Sequence, residues 1–91
     1  MLILTSLAEG EKHGYALMQD IQAFAGVTLG PGTLYGTLSR LERDGLIAAE
    51  ESSDRRRPYR ITPEGRALLH AELTEAARLA DVGLRRIALG S

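Results

Sequence analysis

The 91-residue sequence contains no cysteine, no tryptophan and a single phenylalanine, Phe24. Without cysteine there is no disulfide framework, no thiolate metal site and no catalytic thiol, and a reducing, cytoplasmic setting fits this composition best. The scarcity of large aromatic side chains leaves little material for an aromatic sandwich around a flat ligand. A chain of this length forms one domain at most, with a core so modest that support from a partner subunit is expected.

Long hydrophobic runs and chemically reactive clusters are also missing. The apolar start, residues 1–7, meets charged residues from Glu9 onward too soon for a signal peptide or a membrane span, so we expect a core helix and no membrane partner. His13 and His70 are the only histidines, and neither has a clear third metal ligand near it in the sequence. Because the sequence also lacks a phosphate-binding glycine loop, a nucleophile elbow and a zinc-protease motif, it predicts no metal, no other cofactor and no enzyme.

The net charge is −1, which taken alone argues against a nucleic-acid partner, because DNA binding depends on neutralising phosphates. The distribution of charge favours the opposite conclusion. Residues 1–50 carry three basic and six acidic side chains, whereas residues 51–91 carry eight basic and six acidic ones. Four of those arginines fall between Arg55 and Arg60, so one short segment is strongly basic within an acidic chain.

The spacing of apolar side chains, with glycine or proline at the ends, predicts three helices in the first half of the chain, at residues 2–9, 13–25 and 31–45. The turn between the second and third helices, residues 27–30, is short enough for a helix-turn-helix. We expect the core to be formed by apolar side chains from these helices and from the segment that follows: Tyr15, Leu17, Ile21, Leu34, Leu38, Leu41, Leu46 and Ile61.

The third predicted helix has an apolar stripe and polar outer faces. Leu34, Leu38 and Leu41 stand at i, i+4 and i+7, so they share the side that faces the core. Gly36 stands in the middle of this helix, where glycine costs about 1 kcal/mol of stability relative to alanine. A close approach of the helix backbone to DNA would explain a glycine at this position. The outward residues predicted to face the major groove are Thr33, Tyr35, Gly36, Thr37 and Arg40. A plain surface helix is the alternative, and for Tyr35 packing of the ring is an equally good interpretation.

A β-hairpin is predicted after the third helix, with a strand, a polar loop and a returning strand at residues 46–51, 52–57 and 58–62. A hairpin in this position is the wing of a winged helix-turn-helix. Its tip carries Arg55, Arg56 and Arg57, which we expect to contact phosphates or the adjacent minor groove. The alternative for these arginines is a solvated charged loop.

The last helix is predicted at residues 63–89. Thr62, Pro63 and Glu64 supply an N-cap, a first-turn proline and an acid at the positive helix end. This helix would be roughly 39 Å long, at about 1.5 Å per residue. Apolar side chains that recur every three or four residues form a seam along it: Leu69, Leu73, Ala76, Ala80, Leu84 and Ile87. Because this seam is too long for one small domain to cover, we expect a homodimer.

These residues resemble the PadR family of bacterial transcriptional regulators over nearly the whole chain. The resemblance is carried by an ordered set of short motifs: Ala8-Glu9-Gly10, His13-Gly14-Tyr15-Ala16-Leu17, Gly32-Thr33-Leu34-Tyr35, Leu38, Arg40-Leu41-Glu42, Gly45-Leu46-Ile47, Arg57, Tyr59, Ile61-Thr62 and Gly65. It implies a mainly α fold with a small β-hairpin: a winged helix-turn-helix at residues 1–62, followed by a long C-terminal dimerisation helix at residues 63–91. It also implies binding to a double-stranded operator and repression relieved by a small-molecule effector, of unknown identity, or by another signal.

A rival interpretation keeps the fold and changes the partner. In it, the chain is a winged-helix interaction module whose outward face binds another protein without DNA. The arginines of the hairpin tip disfavour this interpretation, and an electrophoretic mobility test against upstream DNA separates the two.

Overall fold

The computed structural model describes residues 1–50 and 57–90. In chain order the elements are α1 (Leu2–Leu7), α2 (Gly14–Ala25), α3 (Pro31–Arg43), β1 (Ile47–Ala49), β2 (Tyr59–Ile61) and α4 (Pro63–Gly90). Helix α4 extends far beyond the other elements, so the molecule measures 58 × 26 × 20 Å. This is the predicted fold: mainly helical, with one small hairpin and a long C-terminal helix. None of the described helices is both long and apolar enough to span a membrane.

The core lies between the first three helices, β1 and the start of α4. Its apolar side chains, none more than 4% exposed, are Ile3, Leu4, Leu7, Leu17, Ile21, Leu34, Leu38, Ile47 and Leu69. Leu41, Leu46 and Ile61 pack against this cluster and are partly buried, in agreement with the prediction. The prediction for Tyr15 is wrong, because its side chain is 67% exposed. Tyr15 stands two residues before the buried Leu17, on nearly the opposite side of α2.

Two of the predicted helix-end signals take the expected form. Gly26 follows α2 in the left-handed conformation, with φ 69°, and its amide donates to the carbonyl of Gln22 at 3.0 Å. The hydroxyl of Thr62 accepts a hydrogen bond from the amide of Gly65 at 3.0 Å, which caps α4. The same hydroxyl donates to the carbonyl of Gly45 at 2.6 Å. Thr62 therefore also ties the start of α4 to the end of α3.

The hairpin is joined to the helical body by a third extended segment that the sequence does not predict. Strands β1 and β2 are antiparallel, with Ile47 opposite Ile61 and Ala49 opposite Tyr59. On its other side, Tyr59 forms an isolated antiparallel bridge with Lys12 through two backbone hydrogen bonds of 2.8 and 3.0 Å. The returning strand is thus fixed to the segment between α1 and α2.

Lys12, the only lysine of the chain, holds this bridging segment in place. Its Nζ donates to the carbonyl of Ser6 and lies 2.8 Å from a carboxylate oxygen of Glu9 and 3.8 Å from one of Asp20. The buried hydroxyl of Ser6 donates to the same Asp20 carboxylate. The ammonium group therefore links α1 and α2 to the segment that pairs with Tyr59 of the hairpin.

Gly65 lies where α4 approaches the backbone of Leu46, just before β1, and this close approach leads to a stability prediction. A Cβ at Gly65 would lie 2.0 Å from the carbonyl oxygen of Leu46, a backbone atom that has little freedom to move. We expect Gly65→Ala to lower the free energy of unfolding by about 1–3 kcal/mol, the usual cost of overpacking, as measured by urea denaturation at fixed protein concentration.

Gly36→Ala is the matched control, because it makes the same substitution inside a helix where a Cβ would have open space around it. Here we expect the free energy of unfolding to rise by about 0.5–1 kcal/mol, since alanine is the better helix former. Similar effects of the two substitutions would contradict the close packing of α4 against Leu46.

Candidate nucleic-acid interface

Helix α3 presents a strip of exposed residues directly opposite its buried leucines. At about 3.6 residues per turn, Arg43 lies about two and a half turns beyond Leu34 and therefore on the opposite side of the helix. Gly36 and Ser39 project from the same side, and all three residues are exposed. We call Gly36, Ser39, Arg40 and Arg43 the outward strip, because together they form the part of α3 most accessible to a large partner.

The residues predicted to read bases fall partly on the outward strip and partly on its flanks. Gly36 and Arg40 belong to the strip, and Thr33 is exposed beside it. Thr37 is only half-exposed, because it stands three residues after Leu34 and so lies near the buried stripe. Ser39 and Arg43 were not predicted, although the periodicity that identifies the buried leucines also places these two residues on the opposite side.

Gly36 has no packing role among the described residues of the chain. A Cβ built on its backbone has no atom within 4 Å, and its backbone shows no left-handed φ angle. Neither space nor backbone conformation within the described structure therefore requires glycine at this position.

All three tyrosines of the chain line one cleft of about 510 Å³ between the start of α2, α3 and the hairpin. The described residues that line this tyrosine cleft come from three parts of the fold and include no aspartate or glutamate: His13, Gly14, Tyr15, Ala16, Tyr35, Arg57 and Tyr59. The side chain of His13, which precedes α2, makes no capping hydrogen bond to the helix. The cleft is thus surrounded by hydroxyl groups, an imidazole and a guanidinium.

Tyr35 reaches the cleft by lying across Gly14. A Cβ at Gly14 would lie 2.5 Å from the Tyr35 hydroxyl oxygen and 2.9 Å from Cζ, so only glycine leaves room for the ring in this position. The Tyr35 side chain is still 49% exposed. Its ring therefore packs against the start of α2 while its other face remains open to a partner.

Tyr59 is the most enclosed of the three tyrosines. Burial raises the pKa of its hydroxyl above the ordinary value of 10.0, and the negative charge of Glu42 and the nearby Tyr35 raise that pKa further, whereas Arg57 lowers it. The Tyr59 hydroxyl consequently keeps its proton, and its ability to donate a hydrogen bond, throughout the physiological pH range.

The hairpin arginines differ in their surroundings. Arg57 is exposed at the edge of the tyrosine cleft, whereas Arg60 pairs with Glu50 across the hairpin at 3.0 Å. Arg55 and Arg56, which the sequence places at the tip, lie outside the described residues. Among the described residues, no group of three histidine or carboxylate side chains is placed to hold a metal ion.

The predicted dimer seam of α4 divides into a buried start and an exposed remainder. Leu69 is 4% exposed and belongs to the core of its own chain, because α1 packs against this part of α4. Its assignment to the dimer interface is therefore corrected. Further along, Leu84 is 68% exposed, and the other exposed seam residues are Leu73, Ala76, Ala80 and Ile87. Leu73 is 41% exposed and Ile87 71%, so the seam is less covered toward the end of α4.

Comparison with known proteins gives a family and two curated relatives. The model of the transcriptional regulator PadR-like family matches residues 3–71. The chain is 45% identical over 82 residues to the transcriptional regulator Rv3488 of Mycobacterium tuberculosis, an alignment that covers 84% of this chain and 76% of that protein. It is 48% identical over 79 residues to an uncharacterised 37.1 kDa protein in transposon Tn4556 of Streptomyces fradiae, covering 87% of this chain and 23% of that protein.

Solved structures share the fold. A PadR family transcription regulator from Clostridium difficile superposes with a TM-score of 0.80 at 27% identity, covering 89% of this chain and 88% of that one. Bacillus subtilis PadR, crystallised in complex with operator DNA, superposes with a TM-score of 0.69 at 24% identity, covering 79% of this chain and 45% of that one. The matched family consists of transcriptional regulators and not of enzymes, as the sequence predicts. The chain therefore belongs to the PadR-like family of transcriptional regulators.

Proposed function

We propose that this chain binds double-stranded operator DNA and represses transcription. The observation that carries the proposal is the position of the outward strip of α3 beside an arginine-bearing hairpin, in a member of a family of transcriptional regulators. Bacillus subtilis PadR, which shares this fold, binds operator DNA. Repression is the proposed mode because a dimer seated on an operator obstructs other proteins at the same DNA. A small-molecule effector or another signal would relieve it.

The proposed contacts divide between base reading and positioning. Arginine reads guanine through two hydrogen bonds in the major groove, which is the role that we assign to Arg40 and Arg43. Gly36 lets the backbone of α3 approach the bases, and Thr33 and Thr37 contact the groove from one edge. Arg55, Arg56 and Arg57 contact backbone phosphates, which position the protein but carry little sequence information. Tyr35 contacts DNA from the flank of α3 that faces the hairpin.

We also propose a homodimer in which α4 pairs with the α4 of a second copy. Helix α4 has 28 residues, about 42 Å at 1.5 Å per residue, and only its first turns are covered by the rest of the chain. Leaving the exposed leucines in water would forgo about 25 cal/mol for each Å² of apolar surface. In this arrangement residues 1–62 contact DNA and residues 63–91 form the dimer. One α3 then faces each half-site of a pseudo-palindromic operator. The proposed location of this complex is the cytoplasm.

An electrophoretic mobility shift tests the DNA-binding proposal. The wild-type protein is titrated into DNA taken from upstream of its own gene and into a scrambled duplex of equal length, at low salt. Retarded migration with tighter binding to the upstream fragment supports an operator-binding regulator. Failure to shift either duplex would favour the rival interaction module, in which the same surface binds a protein.

The dimer proposal predicts that Leu84→Asp and Leu73→Asp produce monomers at micromolar concentration, because each substitution buries a charge in an apolar interface. Sedimentation velocity is the measurement, and DNA affinity should fall together with dimer formation, since each subunit supplies half of the operator contacts.

Leu89→Asp is the control for the dimer prediction. Leu89 is 86% exposed, but it stands two residues after Ile87 and therefore on nearly the opposite side of α4. We expect this variant to sediment like the wild type. A wild-type protein that sediments as a monomer would disprove the proposed dimer.

The division between base reading and positioning predicts different responses to two arginine substitutions. Arg40→Ala should weaken operator binding by about 1–3 kcal/mol for each base that the side chain no longer reads, with little effect on a scrambled duplex. Arg56→Ala should weaken binding to both duplexes equally. If each hairpin supplies about two phosphate contacts and the α3 regions add as many, the wild-type slope of log K against log salt is roughly −4 to −8, and Arg56→Ala reduces its magnitude.

Affinities for the two duplexes at several salt concentrations check these values. Equal weakening on both duplexes for Arg40→Ala would assign that residue to a phosphate, and a wild-type slope near zero would mean that the hairpins do not touch DNA.

Gly36→Ala separates stability from DNA binding. Because a Cβ at Gly36 meets no atom of the described structure, the substitution should stabilise the fold. The added methyl group would occupy the space where α3 approaches the bases, so operator affinity should fall roughly tenfold, equivalent to about 1.4 kcal/mol. Urea denaturation and fluorescence anisotropy on the same preparation measure both effects. A stabilised variant with unchanged operator affinity would show that α3 does not approach DNA at Gly36.

A further inference from the structure

We propose that the tyrosine cleft binds one phosphate group of the DNA backbone through the hydroxyls of Tyr15, Tyr35 and Tyr59 together with the guanidinium of Arg57. The proposal rests on the DNA-binding function proposed above and deepens it: it places the phosphate contact of Arg57 in the tyrosine cleft, apart from the contacts of Arg55 and Arg56. It also gives Tyr35 a positioning role beside the bases in place of a base-reading one.

The convergence of the tyrosines is the first observation that supports this site. The chain has three tyrosines, widely separated in sequence, and they reach the same cleft from α2, α3 and β2. Tyr15 and Tyr35 remain well exposed there, although burying large aromatic rings is strongly favourable. Exposed tyrosines gathered at one place are typical of a contact surface, where the ring packs and the hydroxyl donates a hydrogen bond.

The hydrogen-bonding capacity of the cleft matches an acceptor. The Tyr15 hydroxyl oxygen accepts a hydrogen bond from Nε2 of Gln19 at 3.2 Å, which leaves its own proton to donate. Within residues 1–50 and 57–90, no group accepts a hydrogen bond from the hydroxyl of Tyr35 or Tyr59. A phosphate oxygen only accepts hydrogen bonds, so these donors and the Arg57 guanidinium suit it.

The location of the cleft identifies the phosphate as one from the DNA backbone. An α-helix, about 10–12 Å across, nearly fills a major groove of about 12 Å, so the sugar-phosphate strands that border the groove lie against the flanks of the helix. Tyr35 stands on the flank of α3 that faces the hairpin. With the outward strip in the groove, the bordering strand would pass over the tyrosine cleft.

The charged groups near the cleft determine how the affinity of such a contact depends on salt concentration. Glu42 lies close enough to Tyr59 to raise the pKa of its hydroxyl, and its negative charge opposes that of a phosphate. Arg57 is the only fully charged cation among the described residues of the cleft, so neutral hydroxyl donors must supply most of the attraction. Neutral donors change affinity without releasing counterions, and they therefore leave the salt slope unchanged.

The test compares Tyr15→Phe, Tyr35→Phe and Tyr59→Phe with the wild-type dimer, by fluorescence anisotropy on upstream and scrambled duplexes at several salt concentrations. Each substitution keeps the ring and removes one hydroxyl. We expect each to weaken binding to both duplexes by roughly tenfold, as for removal of a hydrogen bond to a charged group, with the salt slope unchanged. Arg57→Ala should weaken binding and also flatten the slope. Phe24→Leu changes an exposed ring outside the cleft and serves as the control with unchanged affinity.

Duplexes that carry one neutral methylphosphonate at successive backbone positions locate the contact. The wild type should bind less tightly when one particular phosphate in each half-site is neutralised. When that phosphate is neutralised, the tyrosine variants should lose less affinity than the wild type, because they already lack the hydroxyl that donates to it. This non-additivity would assign the hydroxyls to that phosphate.

The outcomes separate this proposal from the function on which it rests. A wild-type protein that binds neither duplex would overturn both. Wild-type binding that the tyrosine substitutions leave unchanged would overturn only the cleft proposal, as would weakening confined to the upstream duplex, which indicates base reading. A loss of affinity in the tyrosine variants that depends on no particular phosphate in the methylphosphonate duplexes would overturn the assignment of the cleft to a DNA phosphate.

Discussion

The backbone pairing of Lys12 with Tyr59 is the constraint on which the proposed interface depends. A two-stranded hairpin is at best marginally stable alone, and this pairing supplies β2 with a neighbour on its second side. The ammonium group of Lys12 is in turn held by Ser6 of α1, Asp20 of α2 and Glu9 in the segment between them. The angle between the hairpin and the helices therefore depends in part on Ser6, Glu9 and Asp20, none of which lines the tyrosine cleft.

A second set of hydrogen bonds connects the end of α3 to the start of α4. The Thr62 hydroxyl caps α4 and also donates to the carbonyl of Gly45, so the end of α3, the hairpin and the start of α4 share one residue. Leu69, about two turns further along, is buried in the core. The long helix is therefore firmly attached to the rest of the chain before its exposed seam begins. In the proposed dimer this attachment sets the distance between the two α3 helices, and hence the spacing of half-sites that the protein can bind.

Local and periodic features were predictable from sequence, whereas contacts between distant residues were not. The spacing of Leu34 and Leu38 identified the buried side of α3, and Gly26 and Thr62 identified helix ends, because each signal is contained within a few residues. The Lys12–Tyr59 bridge involves one residue pair and has no period. The contact between Gly14 and Tyr35 joins two helices, so the motifs that contain them gave no indication of it. Ser39 and Arg43 were overlooked although the same periodicity places them opposite Leu34.

The electrostatics of the chain also follow from these interactions. A protein with net charge −1 meets a polyanion unfavourably over most of its surface, so attraction must come from a small region. The only lysine is used internally and Arg60 is paired with Glu50, which removes two cations from that region. In the proposed complex, the tyrosine hydroxyls at the edge of α3 add hydrogen bonds to phosphate without adding charge. The proposed complex therefore gains affinity from neutral hydroxyl donors as well as from charge, and the part that the hydroxyls supply does not depend on counterion release.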